Sequence, residues 1–510
     1  MKPNYNTFPK LKFLLIVVVF FIQASFVVAQ QSLLETTLSK ANKLRDEGDF
    51  GQTARLLSDF NNKYPGNIWV MRLYAETLYW MHEYDMAATI YEDAMRMHPD
   101  NLDVKYEYAI MLFDKGNYEY SQRLLDVYTS EYDSVAGAES LLGISNYYIG
   151  DFVDAERHLK KSLFIEPNDK RTREVYSEVR QIVRPWLKID GSYMYDSQLL
   201  RQITPRIEGG FYKSHFLNLS FLLSGRNFST DSINTTFIDF RLQNSFILPK
   251  AGFSAKVSAG LFSFTPYDQT EFTWSVSVKQ KIAKWASLSA GAEKSLYTYT
   301  VASIAKPFTR NLYNFSAEWD KNNGWNIKTG YIGEFFPDSN NVQTFYAWAL
   351  SPSIKFSVFE LKFGYAFNYA NSKENRYIAE GSLDHIVGNW VDGQSIKGVY
   401  DPYFTPKDQF SNSVLANLDI KQGKKTDIKL YASVGFYARA MNPYLYLNKK
   451  NSGKLEIRRD FYQESFTPLD MGINFNYNLS NNTVLSANYR YLQTFYFNSN
   501  DFNIGLKIFF

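Results

Sequence analysis

The sequence predicts a multidomain chain, an N-terminal α-helical solenoid followed by an antiparallel transmembrane β-barrel of about 16 strands. Three observations predict it. A pattern of small, aromatic and proline residues recurs every 34 positions between residues 34 and 169. From Trp186 the hydrophobic period switches from helical to two and holds to Phe510. Aromatic residues make up 17% of the chain, with 38 Tyr and 41 Phe mostly after residue 186, yet mean hydropathy is only −0.32. A membrane barrel reconciles the last two, because only alternate residues of each strand face lipid.

The first 29 residues read as a secretion signal. Lys2, Lys10 and Lys12 supply its positive end, Phe13 to Ile22 its apolar stretch, and Val27-Val28-Ala29 a cleavage pattern that leaves Gln30 as the first mature residue. Gln23 and Ser25 break the apolar run, which argues against an uncleaved anchor. No later segment reaches the ~20 apolar residues of a membrane helix. Formal net charge is +3, so no single-sign field marks nucleic acid as a partner. The chain has no cysteine, which excludes disulfides, thiolate metal sites, a thiol nucleophile and a lipid-modified N-terminal Cys.

Residues 30–185 form the predicted repeat domain. Phe50, Tyr84, Tyr118 and Phe152 share one column, and Gly48, His82, Gly116 and Gly150 another. Thr53, Ala87, Ser121 and Ala155 form a small-residue column. Pro65, Pro99 and Pro167 form a terminating column that Asp133 breaks. Gly permits the turn between two helices, the aromatic residue starts the second helix, the small residue lets the helices approach, and Pro ends the unit. Gly48-Asp49-Phe50, Gly116-Asn117-Tyr118, Gly150-Asp151-Phe152 and Leu142-Gly143 resemble tetratricopeptide repeats, of which the chain carries four, with a capping helix over 169–182.

Residues 186–510 form the predicted barrel. In the first strand Leu187, Ile189, Tyr193 and Tyr195 alternate with Lys188, Asp190, Ser192 and Asp196. In the last, Phe502, Ile504, Leu506, Ile508 and Phe510 oppose Asn503, Gly505 and Lys507. Strands are expected to start near 186, 202, 214, 235, 251, 269, 285, 310, 325, 341, 358, 408, 426, 466, 483 and 500. Every second connection is short, as in Lys213-Ser214, Leu248-Pro249-Lys250, Ala283-Lys284 and Ser480-Asn481-Asn482. The alternate ones, notably 227–234, 298–309, 371–407 and 439–465, are long and polar. Short periplasmic turns and long outer loops are the bacterial outer-membrane pattern, with the repeats then in the periplasm. A soluble sandwich or propeller uses strands about half this length.

No catalytic constellation stands out. His82, His98 and His158 fall in the repeats, His215 at a turn and His385 in an outer loop, without metal-ligand spacing or a nearby nucleophile. No enzyme activity, metal or cofactor is therefore expected. Asp190, Asp239, Arg241, Glu293, Glu318, Lys328, Glu334, Arg490 and Lys507 fall on the polar side of their strands and are expected to face the lumen. They fit either a hydrated pore of mixed sign or ion pairs filling a closed interior. Trp390, Tyr400, Tyr403 and Phe404 in the 371–407 loop fit either stacking on sugar rings or the aromatic girdle at the membrane interface.

Repeats followed by a barrel of this size resemble the outer-membrane exporters of bacterial exopolysaccharides, such as the exporter of the cellulose-synthase operon and the poly-N-acetylglucosamine porin. Gly398-Val-Tyr400-Asp-Pro402-Tyr403-Phe404-Thr-Pro406 resembles the Tyr-Tyr-Ser-Pro stretch entering a late strand of the cellulose-type barrel. The chain is equally similar to smaller barrels with a few repeats, and it departs from the cellulose type in having only four. The resemblance implies passive export of a polysaccharide through the lumen, with the repeats recruiting a periplasmic protein partner. The competing expectation is a non-conducting outer-membrane scaffold or adhesin that binds proteins through repeats and outer loops.

Overall fold

The computed structural model describes residues 31–510 apart from 250, 266–268, 284, 322–323, 389–395, 424, 451 and 453. The proposed signal segment lies outside the described residues. The chain divides after Val179 into two compact units.

The first unit is a stack of helix pairs. α1 spans 31–46. It is followed by α2 (Phe50–Lys63), α3 (Ile68–Trp80), α4 (Tyr84–Met97), α5 (Leu102–Asp114), α6 (Tyr118–Glu131), α7 (Ala136–Ile149), α8 (Phe152–Ile165) and α9 (Lys170–Val183). Each column of the 34-residue pattern has a physical role. Gly48, His82, Gly116 and Gly150 all adopt positive φ, at 80°, 62°, 80° and 89°, which reverses the chain between paired helices. Thr53, Ala87, Ser121 and Ala155 are all fully buried at the close approach of those helices. A Cβ on Gly143 would lie 2.9 Å from the Leu159 backbone nitrogen, so only glycine lets α7 and α8 pack this tightly. Asn67 and Asn101 cap α3 and α5, their side chains accepting from the amides of Val70 and Val104.

Successive first helices are tied by polar rungs about one repeat apart: Arg45 to Glu76 at 2.7 Å, Arg72 to Asp103 at 3.0 Å and to Glu107 at 2.5 Å, and Tyr147 to Glu178 at 2.9 Å. The last rung joins α7 to α9. With Ser140 and Thr172 hydroxyls 2.5 Å apart, it seats α9 as the first helix of a fifth, unpaired repeat. This is the helix expected to cap the stack, and the 34-residue step from Ala136 to Lys170 explains its placement. Glu139 on α7 is 1% exposed, with the His158 ring nitrogen hydrogen-bonded to it at 2.7 Å and the Lys161 ammonium 2.8 Å from its other oxygen. Burial pushes its carboxyl up, but those two partners outweigh it and hold the group below the ordinary glutamate value.

The second unit is a closed antiparallel barrel. Its elements are β1 (Trp186–Asp196), β2 (Arg201–Ser214), β3 (Leu217–Ser229), β4 (Asn234–Leu248), β5 (Phe253–Thr265), β6 (Gln269–Ala283) and β7 (Ala286–Leu296). There follow α10 (Val301–Ala305), β8 (Thr309–Asp320), β9 (Asn326–Phe335), β10 (Asn341–Leu350), β11 (Ile354–Phe356), β12 (Phe359–Ser372), β13 (Tyr377–Ala379), α11 (Leu383–Gly388) and β14 (Gly398–Tyr400). The last are β15 (Gln409–Gln422), β16 (Thr426–Lys449), β17 (Leu455–Ser465), β18 (Leu469–Ser480), β19 (Thr483–Gln493) and β20 (Asn498–Phe509). Consecutive strands pair as hairpins, and β1 pairs with β20, Trp186 opposite Phe509 and Asp196 opposite Ser499, so the sheet closes. β11, β13, β14 and β17 do not cross the wall, which leaves sixteen spanning strands.

Ten to fifteen residues per spanning strand match a tilted crossing of an outer membrane, apart from β16 with 24. Ile207, Leu223, Leu242, Leu261, Phe315, Phe363 and Ile504 stand 41–61% exposed on the outside of the barrel. Such a continuous apolar exterior is untenable in water and fits lipid. Trp285, Trp319 and Trp325, 40–52% exposed near the short turns, supply an interfacial girdle. Barrel and exterior together point to the outer membrane.

Two expected loops contain more structure than their polarity suggested. Residues 439–465 are a second hairpin. β16 pairs with β18 over Thr426–Val434, then continues beyond the wall and pairs with β17 over Arg439–Lys449. The β7–β8 connection holds α10, capped by Thr300, whose hydroxyl accepts from the Ser303 amide at 3.1 Å.

Candidate functional site

The inner wall is set by strand parity. On β4, Ile238, Phe240 and Leu242 face outward, so Phe237, Asp239 and Arg241 face inward; the same logic orients each strand. All nine expected lumen residues sit opposite the lipid-facing set. Asp190 is 5% exposed and is held by Arg206 at 2.7 Å, Lys188 at 3.1 Å and the Asn503 amide at 3.0 Å. Asp239 is fully buried between Arg226 and Arg241, each at 3.3 Å. Glu318 pairs with Lys279 at 3.0 Å and lies opposite Lys328 in register. Glu293 accepts from the Ser295 hydroxyl, Glu334 pairs with Arg310, and Arg490 makes two hydrogen bonds to Asp470, each at 2.9 Å. Lys507 lies over the Trp186 ring, 4.3 Å from its centroid.

The inner face is packed in one region and accessible in others. Toward the long-loop end of β3–β5 the interior is packed: Phe228, Phe237, Phe262 and Phe264 form a nearly water-free cluster with Leu200 and with Ile304 of α10. Elsewhere inward charges stay wet, with Arg490 48% and Lys279 45% exposed at the side chain. Arg206, Arg226 and Arg310 complete the ion pairs and lie outside the nine residues that the sequence points to. The parity that picked Glu318 on β8 also selects Arg310, eight residues earlier on the same face.

The loop aromatics divide. Trp390 lies outside the described residues. Tyr403 is 1% exposed, stacked on Phe336 at 3.6 Å and 4°, with its hydroxyl donating to Asp338 at 2.7 Å. Burial pushes that hydroxyl up to about 12. Tyr403 thus packs the loops together and offers no free face to a sugar, a departure from the expected glycan contact. It is the centre of a cluster with Tyr297, Phe308, Phe336 and Val342. Phe404 stacks on Tyr496 at 4.5 Å and 20°, and Tyr400 meets Tyr496 edge-on at 5.2 Å. The 298–309 and 371–407 loops are stitched by the Thr300 hydroxyl donating to the Pro402 carbonyl and the Phe404 amide donating to the Tyr297 hydroxyl. Sequence pattern alone offers no signal for these pairings across about a hundred residues.

No protein-family model matches the chain, and no curated relative does. Among solved structures, a bacterial polysaccharide outer membrane secretin aligns at 11% identity, over 64% of this chain and 99% of its own, with a TM-score of 0.45. MamA from Desulfovibrio magneticus aligns at 13% identity over 29% of this chain and 83% of its own, TM-score 0.28. A tetratricopeptide repeat protein from Parabacteroides merdae aligns at 17% over 29% of this chain and 59% of its own, TM-score 0.27. Likeness at this level carries neither fold nor function across. The repeat geometry and the strand pairing described above stand on their own.

Proposed function

We propose that this protein is an outer-membrane channel through which an exopolysaccharide leaves the cell, with its repeats in the periplasm recruiting a protein that makes or modifies the polymer. One observation carries the reading: the sixteen-strand barrel has an inner wall of charged side chains that stay water-accessible, Arg490 and Lys279 at nearly half exposure. Charges of both signs, mostly paired, suit a hydrated path for a neutral or weakly charged polymer. Conduction of this kind is passive; it needs no cofactor and no covalent chemistry, and synthesis elsewhere drives it. The polysaccharide secretin among the structural likenesses is compatible with this reading without supporting it independently.

The test is secretion. Deleting the gene is expected to abolish surface polymer, and the full chain supplied in trans to restore it. Undiminished polymer in the deletion strain contradicts export and leaves the scaffold reading.

A further inference from the structure

The two ends of the barrel differ in charge. The seven short connections, taken with two flanking residues on each side, hold eight lysines against three acids, Asp320, Glu360 and Asp427. The long connections at the other end carry both signs in near balance. Positive charge is therefore concentrated on one rim. Lys213, Lys321, Lys355 and Lys425 are exposed there. Lys355 comes no closer than 3.8 Å to Glu360, and both side chains are open to their surroundings, at 59% and 41%. The seventh connection, at Asn481-Asn482, has no lysine of its own, and Arg184 supplies the cation: its guanidinium donates to the Asn482 side chain at 2.7 Å. Every short connection thus brings a positive group to the rim.

The height of this ring identifies its partner. Trp285 adjoins the β6–β7 turn, and Trp319 and Trp325 bracket Lys321 along the chain. The Trp285 and Trp319 rings touch, with centroids 3.7 Å apart. Half-exposed indoles at the edge of an apolar wall mark the level of lipid headgroups. The lysines stand at that level, and a lysine stem can lie along apolar surface while its ammonium reaches a phosphate. A soluble protein would meet such a ring from one side, whereas lipid meets it all the way round. A zwitterionic headgroup brings its own cation beside the phosphate, so only a net negative headgroup gains from the ring. We infer that this rim binds the headgroups of anionic phospholipids and so selects them for the lipid shell on the short-turn side. The inference rests on the lipid-facing exterior and stands whether or not a polymer crosses the lumen.

The experiment is native mass spectrometry of the purified full-length chain in detergent with equimolar phosphatidylglycerol and phosphatidylcholine. Phosphatidylglycerol is expected to be retained in preference by roughly fivefold or more, the worth of one lysine beside an anionic surface. Replacing three exposed lysines together, Lys213→Gln, Lys321→Gln and Lys355→Gln, is expected to bring the ratio toward one. Lys449→Gln with Lys450→Gln, in the β16–β17 hairpin at the other end, is expected to leave it unchanged. Heat-modifiable migration on gels checks folding. Lipid co-purified by wild type from mixed vesicles serves if the triple variant misfolds: its preference is expected to collapse at about 0.5 M salt, where exposed charges are screened. Equal retention of the two lipids by wild type, a preference unchanged in the folded triple variant or by salt, or one lost in the hairpin pair instead overturns the inference.

Discussion

At the scale of single residues, two positions in the repeats have sharp consequences. His82 holds a left-handed conformation in a column otherwise filled by glycine. A side chain there costs about 1 kcal/mol, so His82→Gly is expected to stabilise the repeat unit by up to about 1 kcal/mol, read as slower amide exchange in α3 and α4. Gly116→Ala has the opposite sign. Glu139 is a buried carboxylate held in its charged form by His158 and Lys161. Its depressed pKa means that its contribution is complete above about pH 4.5 and is lost as pH falls below it. Glu139→Ala leaves the Lys161 ammonium and the His158 ring without their buried carboxylate and is expected to cost about 3 kcal/mol near neutral pH. The variant's urea midpoint is then expected to change less than wild type's between about pH 5 and pH 3; an equal acid sensitivity over that window contradicts the assignment. The glycine column was readable in the sequence because glycine has few other uses at a fixed 34-residue step. Glu139 was not, since a lone acid on a helix gives no sign of burial.

At the scale of elements, the strands obey a two-sided rule that substitution can probe. Leu242 is 53% exposed toward lipid in the middle of β4, and its neighbour Gln243 faces inward. Leu242→Arg is expected to destabilise the barrel by about 2–4 kcal/mol, and Gln243→Arg by much less, measured by urea titration of folding into vesicles. Equal costs on both faces contradict a lipid-facing exterior. Asp239→Ala strands Arg226 and Arg241 against each other and is expected to cost about 3 kcal/mol in the same assay. Parity and turn length made all sixteen strand starts legible to within three residues, because both signals are local. The β16–β17 hairpin escaped because beyond the membrane neither face need be apolar: Arg458, Asp460, Tyr462 and Glu464 read as loop. The cavity that Arg310, Glu334 and Gln409 line escaped because its walls come from five strands and the loops between them, which only the folded barrel brings together.

At the scale of the whole molecule, the barrel is asymmetric along its axis. Aromatic clusters around Phe237 and around Tyr403 fill its long-loop end, whereas Lys279 and Lys507 belong to the strand segments next to the short turns. On the export reading, a polymer crossing this interior would pass beside the stitched loops and the ion-paired wall. The most direct measurement is single-channel recording of the purified full chain in planar bilayers, alongside a variant lacking 298–306, which removes α10 and the Thr300 contact. The account predicts discrete conductance steps, larger in the variant and transiently blocked by a neutral hexasaccharide. Silent membranes with both proteins, under conditions where gels show folded barrel, contradict a conducting lumen.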